Sequence, residues 1–179
     1  MEIYQLKVTL NHIKPPIWRR VEVPVDVKLG KLHRILQAAM GWTDIHLHAF
    51  RIGNECYGVP DPDFPSDTKN ERNIRLDSVA QQGDRFFYDY DFGDGWEHEI
   101  KVEKILPAET AVHYPRCVDG KRACPPEDCG GPPGYEYLLE ALADPEHEEH
   151  DSMIEWIGGE FDPEVFDVEK VNQALWRMR

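Results

Sequence analysis

At 179 residues and 41% hydrophobic, the chain can fold as one domain with its own core, and its five Trp, seven Tyr and seven Phe supply large side chains to bury. No run of about 18 apolar residues occurs, which argues against a transmembrane helix, and Met1-Glu2-Ile3-Tyr4-Gln5 lacks the basic and apolar regions of a secretory signal, so a cytoplasmic location is expected. The net charge of -14 is uneven: from Glu127 onward 15 Asp/Glu face 3 Lys/Arg, and no Lys or Arg lies between Arg122 and Lys170, so this half should repel phosphate backbones.

The first elements follow from alternation. Residues 3–11 alternate apolar and polar side chains and read as a strand; Pro15-Pro16 breaks the chain, and Ile17 to Val23 reads as a second strand ended by Pro24. Leu32, Ile35, Leu36, Ala39 and Met40 recur at helical spacing, with Gly41 as a C-terminal stop. His46, His48, Phe50 and Ile52 share one parity in a third strand candidate. After the Pro/Asp-rich stretch 59–65 and a short turn or helix at Leu76 to Ala80, Arg85 to Phe92 and Trp96 to Ile105 flank Gly93-Asp94-Gly95 as a hairpin. Helical periods then follow at Tyr135 to Ala143, Ser152 to Ile157 and Val168 to Trp176, with Asp162-Pro163-Glu164 as a helix start.

These elements predict an α+β fold. Residues 1–107 form a β-grasp-like mixed sheet wrapping one helix, 108–134 a Cys/Gly/Pro-rich loop, and 135–179 an acidic helical region packed on the core, a single domain overall.

Arg116 to Gly131 holds three of the four cysteines, spaced Cys117-x6-Cys124-x4-Cys129, in a segment too rich in Gly and Pro for a helix or strand. Thiolates gathered this way suit a structural zinc whose fourth ligand is open, His113 being nearest in sequence. Plain reduced thiols and a redox pair are the competing readings, and a cytosolic setting disfavours disulfides. On the second hairpin strand Trp96, His98, Ile100 and Val102 share one face, so His98 points with the apolar residues and must be hydrogen-bonded or ligate a metal. His46 and His48, two apart, form a candidate pair on a strand face. Asp91 lies near the end of the first hairpin strand and Asp94 in the turn, where its place between two glycines is turn chemistry. Glu146 to Asp151 reads as a solvated acidic turn. Ser66, Ser78 and Ser152 are the only serines and none has a nucleophile-elbow setting.

Taken together, Leu32-His33, Met40-Gly41-Trp42, His46-Leu47-His48-Ala49-Phe50, Tyr90-Asp91-Phe92-Gly93-Asp94-Gly95-Trp96-Glu97-His98, and Cys124-Pro125-Pro126-Glu127-Asp128-Cys129-Gly130-Gly131 with Tyr135 resemble the Ri-plasmid ORF-3-like family. The resemblance runs through Phe161-Asp162-Pro163 and Val171-Asn172, nearly the whole chain. Some members carry a resolvase label from transposon passenger genes, which implies a mobile-element role. A serine recombinase needs a nucleophilic Ser beside an Arg cluster and a basic tail; serines are scarce here and the carboxyl third is acidic.

The function expected is a binding or adaptor module with no catalytic signature, using His46, His48, Asp91, Asp94, Trp96 and His98 as its surface and the cysteine loop, with or without zinc, as a brace. Its partner would be a protein, a basic one given the acidic helices, with neither nucleic acid nor membrane bound directly. The alternatives are a metal-dependent hydrolase-like enzyme, with His46, His48, His98 and Asp94 converging on one ion, and a mobile-element accessory acting through protein partners.

Overall fold

The structure, a computed structural model, describes residues 1–178. Strand β1 (Glu2–Leu10) buries Tyr4, Leu6, Val8 and Leu10 on one face and leaves Gln5, Lys7 and Thr9 half-exposed on the other, the period-two signature of a sheet covered on one side. It pairs antiparallel with β2 (Ile17–Pro24), from Ile3 opposite Pro24 to Leu10 opposite Ile17. Helix α1 (Leu29–Met40) buries Leu29, Leu32, His33, Ile35, Leu36, Gln37, Ala39 and Met40, and ends at Gly41, whose φ of 111° is the left-handed turn that favours glycine.

The chain continues through β3 (His48–Ile52), β4 (Glu55–Gly58) and the two-residue β5 (Lys69–Asn70), then two short 3₁₀ turns at Glu71–Asn73 and Leu76–Ser78. The predicted hairpin is β6 (Arg85–Tyr90) and β7 (Trp96–Pro107), with β8 (Arg116–Lys121) after it. Helices α2 (Gly131–Ala143), α3 (His150–Ile157) and α4 (Val168–Trp176) complete the described chain. The architecture is therefore α+β, with four helices and one eight-stranded sheet in the order β5-β4-β3-β6-β7-β1-β2-β8. Every pairing is antiparallel except the parallel β4–β5 contact. None of the described helices is long and apolar enough to cross a membrane.

Three expectations need correction. The cysteine segment is not all loop: its first residues form β8, which pairs antiparallel with β2, and the Arg116 guanidinium meets Glu22 across that pair at 2.5 Å. Long-range pairing on an open sheet edge overrides local composition there, because the Gly and Pro cluster only begins after Lys121. Asp162 starts no helix; its carboxylate accepts from Glu164 N–H at 2.9 Å in a local turn, and α4 begins at Val168, capped by Asp167. His46 is not on a strand, because β3 begins only at His48.

One hydrophobic core joins the sheet to the carboxyl-terminal helices, since Tyr135 and Leu138 of α2 and Leu175 of α4 belong to the same cluster as Tyr4, Leu36 and Trp96. The Asn172 side chain of α4 mimics a strand partner at the β8 edge, accepting from Cys117 N–H at 2.8 Å and donating to Cys117 O at 2.9 Å. Buried Arg122 ties the cysteine segment down by donating to Pro15 O at 2.6 Å and Glu164 at 3.0 Å. Arg19, also buried, donates to Ala39 O at 2.8 Å and so satisfies a carbonyl at the end of α1. In contrast, α3 buries none of its residues.

Candidate functional site

Two histidine–carboxylate clusters flank the connection between α1 and β3. The inner one is a closed ring. Asp44, in left-handed backbone at φ 55°, donates its N–H to Gln37 Oε1 at 2.9 Å, which fixes the amide so that Gln37 Nε2 donates to the Tyr88 hydroxyl at 2.9 Å. The hydroxyl proton then has His33 Nδ1 as its acceptor at 2.7 Å, and His33 Nε2–H donates to Asp44 Oδ1 at 2.8 Å, closing the circle. Burial lowers the His33 pKa, helped by the neighbouring His48, and this favours the neutral tautomer that the ring demands. His48 stacks on His33 with ring centroids 3.4 Å apart and planes 6° from parallel, while its Nε2 lies 3.0 and 2.9 Å from the two oxygens of buried Glu71. Ligand atoms of His33, Asp44 and His48 lie within 4.8 Å of one another. The stacking nevertheless keeps the two ring planes nearly parallel, so their in-plane lone pairs do not converge on one ion.

The outer cluster is open. His46 Nε2 lies 2.6 Å from Asp128 Oδ1, 3.4 Å from Asp91 Oδ2 and 4.0 Å from Glu127 Oε2. Asp91, 7% exposed and at φ 57°, uses Oδ1 to accept from Gly93 N–H at 3.1 Å and Asp94 N–H at 3.3 Å. Glu127 Oε1 accepts from Thr43 N–H and the Tyr90 hydroxyl, both at 2.9 Å. Burial and that bond to Glu127 raise the Tyr90 pKa, keeping the phenol a donor. Among the described residues no Lys or Arg comes within 4.0 Å of these three carboxylates. Desolvation pulls the His46 pKa down, but the hydrogen bond to Asp128 and the charges of Asp91, Asp128 and Glu127 outweigh it and raise the pKa.

Asp128 also borders a groove of about 300 Å³ between α2 and α3, lined by Cys129, Gly134, Tyr137, Leu138, Met153 and Trp156. Tyr137 and Trp156 are exposed there, and Ile154 is exposed elsewhere on α3. On the other side of the outer cluster, Asp91 N–H donates to Leu47 O at 2.9 Å, so the exposed side chains of Leu47 and Phe92 belong to adjoining segments.

The structure therefore separates the residues that parity had grouped. His48 joins the inner cluster and His46 the outer one, together with Asp91. Asp94 is a structural turn residue: its carboxylate accepts from Gly130 N–H at 3.1 Å, and its carbonyl sits so close to Gly131 that a Cβ there would collide with it. Trp96 and His98 are fully buried and cannot belong to a binding surface, because the alternation of β7 turns both toward the core. Trp96 packs on Trp42 at 5.4 Å, and His98 Nδ1 donates to Tyr88 O at 3.0 Å while its Nε2 has no partner among the described residues. Burial lowers the His98 pKa to about 4. His46, His48, His98 and Asp94 consequently do not converge.

The three cysteines do not gather either. Among the described residues, the groups of three or more His, Cys, Asp or Glu with ligand atoms within 4.8 Å contain no sulfur and not His113. Cys117 lies in β8 with its thiol 3.3 Å from Asp119 O, Cys124 is near Gly41, and Cys129 lines the α2–α3 groove. Burial pushes the Cys117 thiol up to about 11, Cys129 to about 12 and Cys124 well above the usual range, so these behave as small apolar side chains.

Sequence reasoning missed His33, Asp44, Glu71 and Tyr88. One signal for His33 was present: it sits on the apolar face of α1 between Leu29, Leu32 and Leu36.

The family model described as plasmid pRiA4b ORF-3-like protein matches residues 2–170. The uncharacterized protein y4hQ of Sinorhizobium fredii (strain NBRC 101917 / NGR234) is 43% identical over 176 residues, which cover 97% of this chain and 90% of that protein. The crystal structure of a protein of unknown function, MM3350 from Methanosarcina mazei Go1, superposes with a TM-score of 0.85 at 40% identity, covering 94% of this chain and 96% of that one. The fold thus recurs in the Methanosarcina protein, and the chain belongs to the plasmid pRiA4b ORF-3-like family.

Proposed function

We propose that the protein is a binding module whose working face is the α2–α3 groove with its acidic rim. Its partner is a polypeptide segment presenting Lys or Arg beside aromatic or aliphatic anchors. The carrying observation is α3: Met153 and Ile157 pack half-buried against the core while Ile154 and Trp156 stay exposed, within a stretch that contains no Lys or Arg. Trp156 is 49% exposed, and covering its free face would contribute on the order of 3 kcal/mol gross to an interface. The carboxylates of α2 and α3 would attract and orient a basic segment. His46 and Asp91, through Asp128, extend this face toward Leu47 and Phe92.

A metal-dependent hydrolytic role is the second reading, supported by the outer histidine–carboxylate cluster. A mobile-element accessory would use the same docking face. The β1–β2–α1–β3 order, with α1 against the sheet, supports a β-grasp-like description of residues 1–107. A zinc brace draws no support from the separated thiols, and Arg122 and Asn172 supply bracing contacts without one.

The test is fluorescence anisotropy of a labelled amphipathic peptide rich in Lys and Arg with Leu and Trp anchors, beside a scrambled peptide of equal charge and an acidic one. The amphipathic peptide should bind best, lose about tenfold or more in affinity with Trp156→Ala, and weaken as salt rises. Absence of binding, or equal binding of the scrambled peptide unaffected by Trp156→Ala, would overturn the reading.

A further inference from the structure

We infer that His46, Asp91 and Asp128 form a site for one first-row divalent cation, Mn²⁺ or Zn²⁺. Charge is the first reason. Three carboxylates, Asp91, Asp128 and Glu127, stand within 4.0 Å of a single imidazole nitrogen, which supplies one positive charge at most, and no Lys or Arg pairs with any of them among the described residues. A dication in place of the imidazole proton compensates that excess far better.

The second reason is independent of charge. Asp91 is more than nine-tenths buried, yet only its Oδ1 is hydrogen-bonded, to Gly93 and Asp94 N–H; its Oδ2 points at His46 across 3.4 Å without a hydrogen-bond donor among the described residues. The carboxylate as a whole is buried, so its second oxygen is left free to take a positive group in front of it.

Placement is the third. One nitrogen of His46 and one oxygen each of Asp91 and Asp128 lie within 4.8 Å of one another, spacing that donors at about 2 Å from a common ion require. They come from three segments locked together beforehand. Asp94 accepts from Gly130 N–H, joining the β6–β7 turn to the loop that carries Asp128. Glu127 accepts from Thr43 N–H, joining that loop to the one that carries His46. Glu127 is thereby engaged as a supporting residue, and the ion would take the place of the proton that His46 and Asp128 share across 2.6 Å. One imidazole and two carboxylates suit Mn²⁺ or Zn²⁺ better than Mg²⁺ or Ca²⁺, which prefer all-oxygen shells. The Asp128 side chain is 60% exposed and that of His46 29%, so the remaining coordination positions face solvent.

The inference stands apart from peptide docking and has its own test. The full-length protein, stripped with chelator, is titrated with MnCl₂ while free Mn²⁺ is followed by electron paramagnetic resonance, and with ZnCl₂ by calorimetry, beside Asp91→Asn, Asp128→Asn and Asp44→Asn. One ion should bind per chain, both outer-cluster variants should weaken it by about 100-fold or more, and Asp44→Asn should leave it unchanged. Asp128 is exposed, so that variant decides the matter even where Asp91→Asn fails to fold. No binding to the wild type, or binding indifferent to Asp128→Asn, overturns the site. Loss in Asp44→Asn with Asp128→Asn intact assigns the ion to the inner ring instead, and equally overturns it.

Discussion

The two histidine–carboxylate clusters use the same residue types and lie on either side of one loop, yet they are built to opposite ends. In the inner ring Asp44, Gln37, Tyr88 and His33 each donate to the next member, and the stacked His33 and His48 rings close the space between them. In the outer cluster acceptors outnumber donors. A satisfied ring rigidifies a core; a surplus of carboxylate oxygen waits for a cation or a basic group. The imidazoles follow suit, since burial lowers the pKa of His33 and His98 while the surrounding carboxylates raise that of His46.

The largest expected effect tests the interior through pH. His98 titrates at about 4 in the fold against about 6.5 in the unfolded chain, so the unfolded state takes up its proton first as pH falls. Its contribution is complete above about pH 6.5, shrinks as pH drops, and is lost below about 4, a change of roughly 3 kcal/mol. Urea denaturation between pH 7 and 4 should show this as the difference between wild type and His98→Gln. Identical slopes in the two proteins would remove His98 from the neutral interior.

A smaller loss is expected from opening the ring. Tyr88→Phe deletes one hydroxyl but strands Gln37 Nε2–H and His33 Nδ1 in a buried place, at a cost of about 2 kcal/mol. Chemical denaturation measures it, and Mn²⁺ and peptide binding should be unchanged. A variant as stable as the wild type would show that the ring is not what holds His33.

Much of the scaffold was legible because its signals are local. Alternation in Tyr4, Leu6, Val8 and Leu10, helical spacing in Leu32, Ile35 and Leu36, and the Gly93-Asp94-Gly95 turn correspond to β1, α1 and the β6–β7 hairpin. The 3₁₀ segment at Leu76 and the starts of α3 and α4 fell close to their predicted places, whereas α2 begins at Gly131, inside the predicted loop. What stayed hidden depends on distance along the chain. β8 exists because Cys117 meets Val21, and no local signal in a Gly/Pro-rich stretch announces an edge strand. Glu71 sits in a polar run and becomes a buried carboxylate only when His48 reaches it. The parity argument grouped His46 with His48 because it assumed an extended chain; the residues before β3 instead form a loop, and the left-handed Asp44 helps to send the two imidazoles to different neighbours. His46 was visible as a candidate residue, but its pairing with Asp128 was not, since 82 residues separate them.

The smallest expected effect is the sharpest contrast with the ring. Asp128→Asn removes a carboxylate oxygen 2.6 Å from His46, a shorter contact than any in the Tyr88 circle, so distance alone would rank it as the more damaging change. Exposure and charge rank it the other way. The Asp128 side chain is 60% exposed, so water replaces what is lost, and its removal relieves repulsion from Asp91 and Glu127. The melting temperature should move by no more than about 2 °C, while cation binding collapses. A large destabilisation would mean that Asp128 is part of the scaffold after all, and that the outer cluster, like the inner one, is there to hold the fold. An unchanged fold with lost cation binding would make stability and ligand affinity separable in this region, which the closed ring does not permit.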